Sequence, residues 1–534
     1  MRLYEIIRDQ GDIMKAFAEK EKKMKKIKTL FMAALFILYL VSMAPLEVLS
    51  QDTNQNEDET VFSAETVQLS QSRVAAIEAF VQRQMTKGNI PGMSVVIVMG
   101  DQTVYKKGFG FADMEKKEPV EPTTLFELGS TSKAFTGLGI LQLEKNGKLK
   151  LSDPVENYIP WLTMKYRGKA VQTTIAHFLY QTSGIPFETI GDIPALEDDN
   201  ALEKTVRMLV GRELRHAPGT EFFYATINYD VLGLIIQNVS GESFEEYMRE
   251  NILMPLKLNH TFLFRREAES KGMATGYKLC FKKPAAYDAP VYRGNTPAGY
   301  FITNADDLGQ WLKIQMGTIE LNGFDKELIK KSHITDPNLT ESDYAVGWII
   351  LKNLGQIAHS GANPNFSSFI AFAPGEKVGV GVLANSNSNF TTGTGRGIAA
   401  LLRGMEPELS SYDMNARFDD ISFKIVLILS PFMLLALVLF IRSIIRIVGK
   451  KQRFSARGGK KVVGFIAATV LMVGLCYVLS IIPPLLNYNV PLSFAVVWMP
   501  MSFTYAVLSI FLTGFLYYLF FLSKLFFPKV KIKK

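Results

Sequence analysis

Apolar and polar positions divide the 534-residue chain into unlike stretches. Nearly unbroken apolar runs occupy residues 30–41, 421–448 and 462–527. Between the first two, residues 72–405 carry the mixed periodicities of a folded domain. There, "MSVVIVMGDQTVYKKGFGFAD" reads as two strands joined at Gly100-Asp101. "YAVGWIILKNLGQIAHSG" and "FSSFIAFAPGEKVGVGVLANS" read as further strands, the second stretch turning at Pro374-Gly375. Helical spacing predicts helices over residues 74–87, 128–149, 228–239, 244–252 and 305–315. Strands thus cluster at both ends of the segment, with helices and loops between. This pattern predicts an α/β domain: a mainly antiparallel sheet flanked by helices, with a helical insertion. An all-α membrane region follows it.

The apolar ends set the expected topology. "EKKMKKIKTLFMAALFILYLVSMAPLEVLSQDT" has a basic start, an apolar centre and small residues beyond it, the pattern of a secretory signal or an uncleaved anchor. Residues 1–50 are therefore expected to be a signal peptide or N-terminal anchor, with cleavage after Ser50 or Ala44. Met24 opens a more usual signal, so residues 1–23 are expected to be a cytoplasmic extension or to precede the true start. Residues 51–71 read as a polar linker, residues 406–420 as a second linker, and residues 421–534 as three membrane helices. The loop "RSIIRIVGKKQRFSARGGKK" and the tail "KLFFPKVKIKK" are basic, whereas "PPLLNYNVPLS" carries no charge. Lysine and arginine favour the cytoplasmic side, which places the folded domain outside with three spans rather than four.

Charge and composition narrow the function. The net charge of +8 invites a nucleic-acid partner, but the excess lies beside the apolar runs, so none is expected. The two cysteines, Cys280 and Cys476, fall in different regions, and no disulfide is expected. The five histidines (His177, His216, His260, His333 and His359) lack the short spacing of a metal site.

The candidate chemistry lies in "ELGSTSKAFTG", where Ser130 precedes Lys133 by three positions. On a helix these share a face. A serine hydroxyl is a weak nucleophile and needs a base beside it, which an amine one turn away can be. A first-turn N–H of Ser130 can also face a developing oxyanion. The S-x-x-K spacing alone is weak, but "PGTEFFYATINYDVLG" and "AHSGANPNFSSF" follow in order.

Together these three elements resemble the serine β-lactamase and penicillin-binding-protein superfamily. The resemblance is to the branch related to class C β-lactamases, D-alanyl-D-alanine carboxypeptidases, D-aminopeptidases and β-lactamase-like esterases. It covers residues 72–403 and includes "IPGMSVVIVMGD", "TIAHFLYQTSGIP", "TPAGYFITNADDLGQWL" and "YAVGWII". It implies a β-lactamase/transpeptidase-like fold, Ser130 as the acylated nucleophile and Lys133 as its lysine. It implies Tyr224 as a proton-transferring phenol and His359 as the residue of the third element that faces the site, supplying a donor or a partial positive charge. Thr226, Ser360, Gly361 and Ala362 are the implied substrate contacts, the Ala362 N–H completing an oxyanion hole with that of Ser130. Relatives usually carry asparagine where Thr226 stands. Asn228 matches a framework asparagine.

The resemblance implies no metal or organic cofactor. The expected partners are a lipid bilayer and a substrate, either a cell-wall peptide ending in a D-amino acid or a small ester or amide, β-lactams included. A catalytically weak sensor or scaffold is the alternative, motivated by Thr226 and by three spans where one would anchor. "TTGTGRG" lacks the lysine of a phosphate loop and reads as a flexible approach to the last helix of the domain. The basic residues of "HTFLFRREAESKG" read as a solvated face. No G-x-S-x-G elbow occurs, which argues against an α/β-hydrolase fold.

Overall fold

The hairpin expected at Gly100-Asp101 lies within a seven-stranded antiparallel sheet. A computed structural model describes residues 68–339, 342–407, 413–456, 458–485 and 489–529. Strands β1 (Gly92–Met99), β2 (Gln102–Asp113) and β3 (Glu118–Pro119) precede the helical insertion. Strands β4 (Ile349–Leu351), β5 (Gln356–Asn363), β6 (Phe366–Ala373) and β7 (Val378–Ala384) follow it. Their spatial order is β4-β5-β6-β7-β1-β2-β3, so strands from both ends of the domain meet where β7 pairs with β1.

Strand β1 is buried along its whole length because both faces of the sheet are covered. Met93, Val95, Ile97 and Met99 pack with helices α1 (Gln71–Gly88) and α5 (Asn389–Leu402) through Ile77, Val81, Phe390 and Ile398. Val96 and Val98 join the second core, where helix α4 (Ala305–Met316) contributes Leu308 and Leu312. Alternate residues of one strand therefore feed two cores, as the period of two requires. Helices α2 (Lys133–Lys145) and α3 (Asn228–Ser240) belong to the insertion and pack into that second core.

Several expectations are corrected. The helix expected over residues 128–149 is a 3-10 turn, Gly129–Ser132, running into α2, so Ser130 precedes the α-helix and Lys133 opens it. The helix expected over residues 244–252 is Phe244–Met248 followed by a π-helical turn, Arg249–Leu253. Residues 391–397 lie inside α5 rather than at a flexible approach to it. Their glycines read as a loop because glycine is a poor helix former, yet a Cβ on Gly395 or Gly397 would meet the Phe369 or Phe80 ring at 2.1 or 2.2 Å.

The expected leader over residues 1–50, and the linker as far as residue 67, lie outside the described residues. Gln71 already belongs to α1. Among the described residues three further helices are long and apolar enough to cross a membrane: α6 (Met414–Val448), α7 (Gly459–Ser480) and α8 (Met501–Phe526). Their mean hydropathies reach 2.6, 2.5 and 2.0. At 1.5 Å per residue even the 22 residues of α7 extend about 33 Å, a bilayer's apolar thickness. Residues 414–420, expected as linker, are instead the first turns of α6 and are fastened to the domain. Asp413 caps α6 at Ala416 N and also accepts from Asn389 N, both at 2.9 Å.

Candidate active site

The turn that carries Ser130 is held from two sides. The Leu128 carbonyl accepts from Thr131 Oγ1 at 2.9 Å and Ser368 Oγ at 2.5 Å, while Leu128 N donates to Phe301 O at 2.8 Å. Ser132 Oγ accepts from Phe301 N at 3.1 Å. These bonds wedge the turn between β6 and the segment before α4.

Two glycines bring strand β5 against this turn. Gly129 has φ +57°, and a Cβ there would lie 2.4 Å from Ala362 N. A Cβ on Gly361 would lie 1.8 Å from the Leu128 carbonyl oxygen. Only glycine permits this backbone-to-backbone approach. It sets the Ala362 amide beside the nucleophile turn, as an oxyanion hole requires.

Ser130, Lys133 and Tyr224 are brought together. Ser130 Oγ accepts from Lys133 Nζ at 3.1 Å and from Tyr224 Oη at 3.0 Å. Ser130 and Tyr224 are partly exposed, whereas Lys133 is fully buried. Lys133 Nζ also donates to Ala298 O at 2.7 Å and lies 5.2 Å from the Tyr224 ring centre. It forms no ion pair among the described residues. Asp230 is the acidic group that acts on it electrostatically, but burial pushes that carboxyl up to about 8, while Asn295 Nδ2 donates to it at 2.6 Å. Near neutral pH Asp230 is thus mostly an uncharged acid.

Tyr224 is placed by Gln181, a non-glycine residue at φ +60°. Its backbone carbonyl accepts from Phe223 N at 2.8 Å and its side-chain oxygen from Ala225 N at 2.9 Å. Asn228 Nδ2 shares that side-chain oxygen, and Ser183 Oγ donates to Asn228 Oδ1 at 2.7 Å, the framework role expected of Asn228.

Along β5, His359 and Gly361 are buried, while Ser360 and Ala362 are exposed on the opposite face. The His359 ring packs 6.4 Å from Tyr224 and 6.1 Å from Tyr344. Its Nδ1 lies 2.7 Å from the Ser360 carbonyl, a pair that needs the proton on Nδ1. Its buried Nε2 is then a bare acceptor without a partner among the described residues. Burial, helped by the Lys133 charge, lowers the His359 pKa to about 4. The expected donor or partial positive charge at this position is therefore corrected to a neutral acceptor. Thr226 is 6% exposed at the approach to α3, and its hydroxyl makes no side-chain hydrogen bond among the described residues.

Four supports escaped sequence reasoning. They are the Ala298 carbonyl, Gln181, Tyr344 and a clamp made by Asn363. Asn363 Nδ2 donates to Glu127 Oε2 at 2.6 Å and to Gly299 O at 2.9 Å, tying together the three segments that carry Ser130, Ala362 and Ala298. The contact joins residues 236 positions apart, so no local pattern announces it. Glu127 also lines a cavity of about 570 Å³ with Arg265, Arg266, Tyr292 and Tyr300, and Ser130, Lys133, Tyr224 and His359 do not line it. Arg265, expected on a solvated face, is mostly buried there against Asp288. Among the described residues no group of His, Cys, Asp or Glu side chains is placed to hold a metal ion.

Known proteins resemble the chain over the domain that carries these residues. Protein flp of Staphylococcus aureus strain MW2 is 38% identical over 320 residues, 59% of this chain and 63% of that protein. The match thus spans less than two thirds of that relative's length. A β-lactamase of Escherichia coli K12 is 28% identical over 339 residues, 56% of this chain and 85% of that protein. The solved octameric penicillin-binding protein homologue from Pyrococcus abyssi superposes with a TM-score of 0.56 at 32% identity, covering 65% of this chain and 81% of that one. The Beta-lactamase family model matches residues 77–404, more than half of the chain, and with the S-x-x-K turn, the tyrosine and the His-Ser-Gly strand in place the protein belongs to the β-lactamase family.

Proposed function

We propose that the protein is a membrane-tethered, extracytoplasmic serine hydrolase that works through an acyl-enzyme on Ser130. The observation that carries this reading is the shared contact of Ser130 Oγ with Lys133 Nζ at 3.1 Å and Tyr224 Oη at 3.0 Å. In its unprotonated amine form Lys133 takes the hydroxyl proton as Ser130 Oγ attacks a carbonyl carbon, and the N–H groups of Ser130 and Ala362 receive the oxyanion. Tyr224 relays the proton to the leaving group, and water then releases the acyl chain. The backbone of Ser360, beyond the last β5 residue paired with β4, and Thr226 contact the substrate. The neutral His359 offers its acceptor Nε2 to a donor in the site. The substrates proposed are cell-wall peptides ending in D-amino acids, small esters or β-lactams.

In this reading the hydrolase spans residues 72–405 and residues 421–534 supply three spans. The basic loop and tail lie in the cytoplasm. Thr226 supports a second reading, a weakly active sensor or scaffold, since its hydroxyl lacks the paired donor and acceptor of an amide.

Intact-mass analysis after incubation with a fluorophosphonate and, separately, with a penicillin tests the proposal. An adduct that disappears in Ser130→Ala is expected. Its persistence or decay separates a penicillin-binding protein from a β-lactamase, and no adduct with either reagent would favour the scaffold.

A further inference from the structure

The domain is clamped to the membrane helices rather than hung from them. The hairpin Tyr277–Cys280 and Lys283–Ala286 reaches α6 and α8 with its tip. Asp419, 1% exposed, accepts from Phe281 N at 2.9 Å, Lys282 N at 2.6 Å and Ser502 Oγ at 2.6 Å. The Phe281 ring packs 5.7 Å from Phe423 and 5.6 Å from Tyr505. Asp419 stands five residues before Lys424, the last charge ahead of the apolar run over residues 425–441. At 1.5 Å per residue the clamp is about 8 Å from the start of that run.

A second attachment leads to the active site. Lys278 Nζ donates to Val496 O at 3.0 Å and Val497 O at 2.8 Å, gripping the C-terminal end of the short helix Leu492–Trp498 between α7 and α8. The other end of that helix presses on the 3-10 segment Phe187–Asp192, where a Cβ on Gly191 would meet Pro491 Cδ at 2.6 Å. This segment continues the stretch that positions Tyr224. Gln181 O holds Phe223 N at 2.8 Å, Gly184 O holds Arg215 N at 2.8 Å, and Arg215 pairs with Glu188 at 3.2 Å. The ten residue steps from Gln181 to Gly191 span at most roughly 35 Å. Large apolar rings line this side: Phe187 is 39% exposed, and Phe222, 41% exposed, packs 5.5 Å from Tyr344, which touches Tyr224 and His359.

We propose that the Ser130 cleft opens at the bilayer surface and takes an acyl donor anchored in the membrane. The proposal rests on the acyl-enzyme and membrane-spanning readings given above. A chain tethered only by a flexible linker would sample many heights above the bilayer. Two buried polar clamps fix one height, and Pro491 with the helix Leu492–Trp498 bridges the membrane helices to the segment Phe187–Asp192, which continues the stretch that positions Tyr224. The exposed rings beside the cleft suit the apolar part of a lipid-linked substrate.

The test uses the full chain in vesicles of phosphatidylglycerol and phosphatidylethanolamine, with three fluorophosphonate probes. One is water-soluble, and two are lipid-tailed with spacers of about 30 Å and about 100 Å. In each, the Ser130 Oγ–P bond forms, the P–F bond breaks, fluoride leaves and the serine proton passes to Lys133. The short-spacer probe is expected to label Ser130 within twofold of the long one. The variant Lys278→Met/Asp419→Ala is expected to slow the short probe at least fivefold while leaving the soluble probe within twofold.

A short probe that labels tenfold or more slowly than the long one in the unaltered protein would overturn the proposal. Failure of the soluble probe to label Ser130 would instead sink the acyl-enzyme reading. Failure of the chain to float with vesicles would sink the membrane reading. Either would take this inference with it.

Discussion

Lys133 and Lys278 are both buried, and both donate to backbone carbonyls, yet their surroundings differ in kind. Lys133 Nζ has one carbonyl, Ala298 O at 2.7 Å, and one hydroxyl, Ser130 Oγ at 3.1 Å, which is itself bonded to a phenol. Lys278 Nζ has two carbonyls, at 2.8 and 3.0 Å, and the Tyr287 ring at 4.2 Å. Carbonyls and a ring can fasten an amine but cannot exchange a proton with it under ordinary conditions. A hydroxyl and a phenol can. Burial of a lysine therefore does not mark a reaction centre; the groups it touches do. In the proposed reading one lysine serves chemistry, while the other holds the domain against the helix Leu492–Trp498.

Replacing each lysine by methionine breaks this contrast most directly. Lys133→Met is expected to slow fluorophosphonate labelling of Ser130 by about 10³-fold, within the usual range for loss of a positioned acid–base group. Lys278→Met is expected to leave labelling by a soluble probe within twofold. Time-resolved intact mass of the full chain measures both, and equal losses would mean that burial, not partners, sets the role. Asp419→Ala comes next. It leaves three donors unmet and is expected to cost about 3 kcal/mol. The loss is read from denaturant unfolding in detergent micelles, again with soluble-probe labelling retained in the folded protein.

What sequence reasoning saw and missed follows the same division. The hairpin at Gly100-Asp101 and the turn at Pro374-Gly375 were legible because apolar runs and turn residues are local signals. Ser130, Lys133, Tyr224 and His359 were legible through the ordered motifs of a family, and the structure gathers them. The Asn363 clamp and the grips of Lys278 and Asp419 were not. Each depends on residues far apart in the chain, Lys278 and Val496 being 218 positions apart. The His359 charge also escaped. The family resemblance implied a donor or partial positive charge, but the nearby Ser360 carbonyl and full burial leave a neutral acceptor. The glycines of α5 misled because their poor propensity is local, whereas the rings that demand them, Phe80 and Phe369, lie on other elements.

The Lys278 clamp also carries a pH signature. Burial lowers its pKa from 10.5 to about 7. Between these values the unfolded lysine holds a proton that the folded one has lost, so stability rises with pH across this window. Below about pH 7 both states are charged and the burial penalty is fully present. The neutral amine still has two N–H groups for the two carbonyls. The expected gain from pH 7 to 10 is about 2 kcal/mol, roughly half the full linkage value because the surroundings relax around the amine. Unfolding midpoints across that range measure it, and Lys278→Met should flatten the slope. An unchanged slope in the variant would place the titrating group elsewhere.

Thr226→Asn sharpens the other side of the comparison with the smallest effect. If the partners around Lys133 decide its role, restoring the amide of the family element should alter how amide-like substrates are held. Thr226 is 6% exposed and its hydroxyl has no side-chain partner among the described residues, so the change adds polar capacity without removing an existing bond. The expected result is a penicillin adduct forming about three- to tenfold faster, the worth of roughly one hydrogen bond at 1.4 kcal/mol per factor of ten. Fluorophosphonate labelling should stay within twofold, because that reagent needs the nucleophile and its base but no amide contact. A tenfold rise with both reagents would mean that the substitution acts on Ser130 and Lys133 themselves. No rise with penicillin would confine the decisive partners of Lys133 to Ser130 and Tyr224, and would leave the asparagine implied by the family resemblance to a step after acylation.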